Sequence, residues 1–178
     1  MKKNTTKLVY MSLLVSMALI LSIFESMIPV PFITPGAKLG LANLVIMISI
    51  YSLPRYRDSF VVLFLRLFLS TLFGGSFSML IYSASGGILS FIIIILLKKF
   101  LGNHLSILGV SAAGAVFHNI GQLLAAALIL ENFGVILYLP FLSLAGIVTG
   151  IFVGLTANYI LNHLNKIPNL KKNLFIYK

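Results

Sequence analysis

The residues from Leu8 to Ile28 form an apolar run of 21 that contains one charge, Glu25, and runs of the same kind recur as far as Leu161. Coiled as a helix, such a run rises about 30 Å, the thickness of a bilayer's hydrocarbon layer. With 60% hydrophobic and 9% charged residues and a mean hydropathy of +1.09, the chain has too little polar surface to cover a soluble globule. The expected class is an integral membrane protein, all-α, with one transmembrane domain over residues 1–178. Lys2, Lys3 and Lys7 precede the first run, and Glu25 and Pro29–Val30–Pro31 follow where a signal peptide would carry a small-residue cleavage site, so the first helix reads as retained.

Turn signals and basic clusters divide the rest into helices over about residues 8–28, 38–53, 59–73, 77–97, 105–130 and 135–161, with Pro140 suited to a first turn of the last. Six crossings place both termini on one side. Lys2, Lys3, Lys7, Arg55, Arg57, Lys98, Lys99, Lys166, Lys171, Lys172 and Lys178, eleven of the thirteen cations, then share that side, which the positive-inside rule makes cytoplasmic. The net charge of +10 is therefore a topology signal and not a nucleic-acid surface. The turns near Pro31, Gly75 and Asn132 face outward, and the expected location is a bacterial cytoplasmic membrane. The third helix is short and carries Arg66 near its middle, so it is not expected to face lipid.

Several chemistries are excluded by what the chain lacks. It has no cysteine, and its carboxylates number three, Glu25, Asp58 and Glu131, too few for the clustered oxygen ligands of a magnesium site. His104, His118 and His163 are too dispersed for a metal cluster, and no Gly-x-x-x-x-Gly-Lys loop is present to hold a nucleotide. Neither a catalytic role nor a cofactor or metal is expected.

The scarce polar groups gather in two places. In Pro35–Gly36–Ala37–Lys38–Leu39–Gly40–Leu41–Ala42–Asn43, a cation and a carboxamide stand at the start of the second helix, between glycines that permit close approach. On the fifth helix Gly114, His118 and Gly121 share a stripe, with Asn119 beside His118 and Gln122 one turn above it. Lys38, Asn43, Arg66, Ser83, His118, Asn119 and Gln122 are the candidate ligand-binding residues. A guanidinium is costly in hydrocarbon and must find acceptors; a ligand head or a structural acid, Glu25 or Glu131, would each serve. Small residues at four-residue spacing mark tight helix contacts: Ser83, Gly86, Gly87 and Ser90 on the fourth helix, and Gly146, Gly150 and Gly154 on the sixth. On the first helix Ser12 and Ser16, and Ala18 and Ser22, have the same spacing, open either to internal packing or to a partner subunit.

A small six-helix apolar chain with basic cytoplasmic turns resembles the substrate-binding S component of energy-coupling factor (ECF) vitamin transporters. The stretches Pro35–Asn43 and Phe117–His118–Asn119–Ile120–Gly121–Gln122–Leu123 resemble, more narrowly, a subgroup labelled the Gx transporter family or heptaprenyl diphosphate synthase component I. The resemblance implies an S-component-like bundle that captures a small molecule with an anionic or carbonyl-rich head near its outer face. It also implies delivery by toppling within a complex of a transmembrane T component and two cytoplasmic ATPases. S components dock on the T component through small residues of the first helix, here Ser12, Ser16 and Ala18. Members of the subgroup are associated with flavin-dependent extracellular electron transfer and with quinone or isoprenoid metabolism, so a flavin, a quinone precursor and a prenyl compound are the implied cargoes. The competing class is a non-transporting membrane subunit that holds a lipid-soluble redox carrier or scaffolds a quinone, prenyl or electron-transfer enzyme.

Overall fold

A computed structural model describes residues 2–27, 40–73, 76–102 and 104–167. Over these the chain is helical: α1 Lys2–Ser26, α2 Asn43–Ser52, α3 Tyr56–Leu72, α4 Phe77–Leu101, α5 Ile107–Ile129, a 3-10 turn Phe133–Tyr138, and α6 Leu139–Leu164. Four helical stretches, Thr5–Glu25, Phe77–Leu101, Ile107–Ile129 and Phe133–Leu164, are long and apolar enough to cross a membrane. The described residues are thus all-helical, with the lengths and composition of a membrane protein. Lys38, the Pro31 and Gly75 turns and the basic tail beyond residue 167 lie outside the described residues.

The bundle is arranged around its shortest helix. α2 is apolar on every side, and of its ten residues all but Leu44 are buried, as expected for a helix with no wet face. It packs against α1, α3, α4 and α6, while α3, α4, α5 and α6 pack in succession around it and α1 closes on α3. Ten residues rise about 15 Å, so α2 cannot reach both surfaces, and an end that stops short must be satisfied by protein groups. At its C-terminal end Lys98 Nζ of α4 donates to Ile50 O at 2.7 Å, with the ammonium 4.2 Å from the centre of the Tyr51 ring. At its N-terminal end stands the carboxylate of Glu25 from α1. Each pole of the helix dipole therefore meets a group of opposite charge.

Two further ties fix the end of the bundle that holds Lys98. Lys7 Nζ is 3.0 Å from Asp58 Oδ1, joining α1 to the first turn of α3, and Tyr10 Oη donates to Ser52 Oγ at 3.0 Å. Ser76 Oγ and Ser106 Oγ accept from Met79 N and Gly109 N, each at 3.2 Å, which caps α4 and α5. Pro140 falls in the first turn of α6, where its missing N–H costs nothing.

The glycine stripes pack as their spacing predicts. A Cβ at Gly150 would stand 2.6 Å from Ala112 Cα, and one at Gly154 2.8 Å from Leu108 Cα, so α6 lies directly on the backbone of α5. Gly121 makes the matching approach from α5 to Ser85 O and the Gly86 backbone of α4, at 2.7 to 2.9 Å. These distances explain why larger residues are absent from the seams.

The structure corrects two expectations. α3 does have an outward face: Phe64, Phe68 and Leu72 are exposed, whereas Arg66 on the opposite side is 1% exposed. The helix satisfies both solvents by dividing its faces, which its short length does not prevent. The second helix begins at Asn43 and not near residue 38, because Gly40 takes φ +88° and the chain turns there, Asn43 N donating to Gly40 O at 2.9 Å.

Candidate functional site

The turn before α2 creates the site. With Gly40 in the left-handed region, its N–H and that of Leu41 both point at Glu25 Oε1, the second at 3.1 Å. A side chain at position 40 would be strained there, and its Cβ would stand 3.1 Å from Asn43 Nδ2 and 3.4 Å from His118 Cδ2. Gly40 thus lets the main chain lie against α5 while delivering two amide donors to α1.

Asn43, in the first turn of α2, faces inward and offers Oδ1 to Arg66 Nη1 at 3.4 Å, a long bond. Arg66 is brought to it by α3, whose apolar residues occupy the outward side. Glu25, 2% exposed, and Arg66 converge on the turn before α2, the one on Gly40 N and Leu41 N and the other on Asn43. They do not form an ion pair: among the described residues the pair found is Lys7 with Asp58. Glu131 is exposed in the turn before α6 and does not pair with Arg66.

α5 completes the cluster. His118, 1% exposed, and Gln122 lie one turn apart, with Gln122 Nε2 2.6 Å from His118 Nε2. Gly86 of α4 fits against them so closely that a Cβ there would be 2.7 Å from His118 O and 2.9 Å from His118 Nδ1. Ser83, buried on α4, sits one turn before Gly86. Asn119 goes elsewhere: its Nδ2 donates to Leu142 O at 2.7 Å and would be 2.8 Å from a Cβ at Gly146, so this carboxamide ties α5 to α6.

Glu25, Gly40, Asn43, Arg66, His118 and Gln122 therefore form one buried polar cluster drawn from α1, the turn before α2, α2 itself, α3 and α5. It combines a cation, an anion, an imidazole and two carboxamides. Sequence reasoning gave Glu25 only a structural pairing with Arg66. The signal for more was present, since a carboxylate in an apolar helix has to turn inward. Next to the cluster a cavity of about 10 Å3, room for about one water, lies between Gly40, Asn43, Ser90, Ser111, Gly114 and Thr149. The cluster is closed on itself in this conformation.

The small residues of α1 divide between two faces of the helix. Ala18 and Ser22 are buried against the bundle, whereas Ser12 and Ser16 are exposed, Ser16 Oγ donating to Ser12 O at 3.0 Å. An exposed face of small residues on α1 is flanked by Leu13, Met17 and Ile20.

No curated protein and no solved structure matches the chain. A family model does: the one described as heptaprenyl diphosphate synthase component I matches residues 14–160, which include Glu25, Arg66, His118 and both glycine seams. The chain belongs to the heptaprenyl diphosphate synthase component I family.

Proposed function

We propose that this protein is the substrate-binding membrane subunit of an ECF-type transporter, six times membrane-spanning in the bacterial cytoplasmic membrane with both termini inside. It captures a small molecule whose head is anionic or carbonyl-rich. The observation that carries the reading is Arg66, buried in a helix of a membrane protein and held by one long bond to Asn43. A guanidinium at such a depth costs at least a few kcal/mol, and a purely structural arginine would be met by a full set of acceptors. Asn43 from α2, Arg66 from α3, and His118 and Gln122 from α5 bring polar groups of three helices into one cluster, an arrangement suited to a ligand among them. Lys38, two residues before Gly40 in the sequence, is counted among the binding residues on its sequence position alone. Asn119 supports the site from outside by fixing α5 against α6.

The closed cluster implies that cargo enters by parting packed helices, which suits a subunit that alternates between open and closed forms. The chain binds and does not catalyse; the energy would come from two ATPase subunits through a T component docked on Ser12 and Ser16. The family's name favours a second reading, a membrane subunit that holds a prenyl or quinone compound for a partner enzyme. Affinity capture of the tagged protein from its native membrane decides between the two. A T component and ATPases in the eluate support transport, and a prenyl or redox enzyme in their place supports the second reading.

A further inference from the structure

Two atoms of the cluster have no hydrogen-bond partner among the described residues although both are buried: Arg66 Nε, a donor, and Glu25 Oε2, an acceptor. They are complementary in kind, and their side chains converge on one turn, Glu25 Oε1 accepting from Gly40 N and Leu41 N and Arg66 Nη1 donating to Asn43 Oδ1, without forming an ion pair with each other. The formal charges of Arg66 and Glu25 also cancel, so this pair by itself sets no net charge on a ligand between them. An orphaned buried donor and an orphaned buried acceptor each carry a desolvation cost that one bound molecule can remove.

Taking the cluster as the cargo site, we propose that the cargo is a neutral molecule that presents a donor beside an acceptor, as a cyclic amide, imide or ureide edge does. Its carbonyl oxygen accepts from Arg66 Nε, and its N–H donates to Glu25 Oε2. Asn43, whose side-chain amide both donates and accepts, stands beside Arg66 and extends the same pattern. The two other kinds of head fit worse. A quinone brings acceptors alone and leaves Glu25 Oε2 unmet. A carboxylate or diphosphate satisfies Arg66 but sets like charge against Glu25 in a dry site, where repulsion is strongest.

Three bicyclic probes of similar size separate these cases: quinazoline-2,4-dione, with a neutral ureide edge; 1,4-naphthoquinone, with carbonyls only; and 2-naphthoate, an anion. Affinities are measured with the purified full-length protein in lipid nanodiscs, for the wild type and for Glu25→Gln. The wild type is expected to bind the dione at least about tenfold more tightly than either competitor, the ratio set by one buried group left unmet. In Glu25→Gln, which removes the negative charge, the preference over naphthoate should vanish or reverse. Tightest binding of naphthoate or naphthoquinone by the wild type overturns the proposal, as does equal or absent binding of all three. The wild-type ranking decides the matter even if Glu25→Gln does not fold. The ranking requires no partner subunit, so a failure to find a T component would count against the transport reading and leave this result standing.

Discussion

Replacing Gly150 with alanine adds one methyl group at the tightest point of the α5–α6 seam, and two opposed effects decide the outcome. Alanine is the better helix former by about 1 kcal/mol. Against that, the new Cβ would sit 2.6 Å from Ala112 Cα, 2.9 Å from Ser111 O and 3.0 Å from Ala112 N. All three are backbone atoms, which cannot rotate aside as a side chain would, so the helices must part by almost 1 Å to restore an ordinary contact. Overpacking of this kind costs about 1–3 kcal/mol. Parting also strains the bond from Asn119 to Leu142 O on the same seam. A net loss of about 1–2 kcal/mol is expected, read as a lower midpoint in reversible unfolding of the protein in detergent micelles. Gly109→Ala is the internal control: its Cβ would meet Leu105 Cδ2 at 3.6 Å and Ser106 Oγ at 3.8 Å, ordinary distances. There the propensity gain stands unopposed, and stability should rise by about 0.4–1 kcal/mol. Equal or greater stability of Gly150→Ala relative to wild type would refute the account of the seam.

On α1, Ser16→Trp should leave unfolding unchanged, because Ser16 faces outward, but should reduce recovery of a T component; Ala18→Trp, at a fully buried position, should destabilise the fold itself. Equal effects of the two on the unfolding midpoint would contradict the division of that helix. Lys98→Met keeps the stem but loses the bond to Ile50 O, so α2 should be weakened by about 1–3 kcal/mol, measured by the same unfolding assay, and an unchanged midpoint would count against that bond's role. Single cysteines at Asn132 and Arg57 test the topology in intact cells: an impermeant thiol reagent should modify the first and spare the second, and modification at Arg57 would reverse the assignment.

Much of this fold was legible because lipid leaves few choices. Apolar runs of helical length specified most helices, and the Gly146, Gly150 and Gly154 repeat marked a seam because nothing larger fits against a neighbouring backbone. His118 and Gln122 met as their four-residue spacing requires. What the sequence hid was tertiary. That α2 lies at the centre depends on which helices surround it, and its late start depends on the left-handed turn at Gly40, where Glu25 collects two amides from 15 and 16 residues away. Asn119 is next to His118 in the chain but about 100° round the helix, enough to send its amide to α6. The outward face of α3 could have been read from Phe60, Phe64 and Phe68, which recur every four residues opposite Arg66.

The claim that the cluster around Arg66 is the cargo site is tested most directly by the small molecules that stay with the purified protein. Wild type, Arg66→Lys and Arg66→Ala are isolated from native membranes under identical conditions, and retained compounds are quantified by mass spectrometry. Lysine keeps the charge but loses the planar fork of donors, so a compound held by the wild type should fall at least about tenfold in both variants. Retention of the same compound by Arg66→Ala within about twofold of wild type would contradict the account, because an arginine that binds cargo cannot be dispensable for holding it.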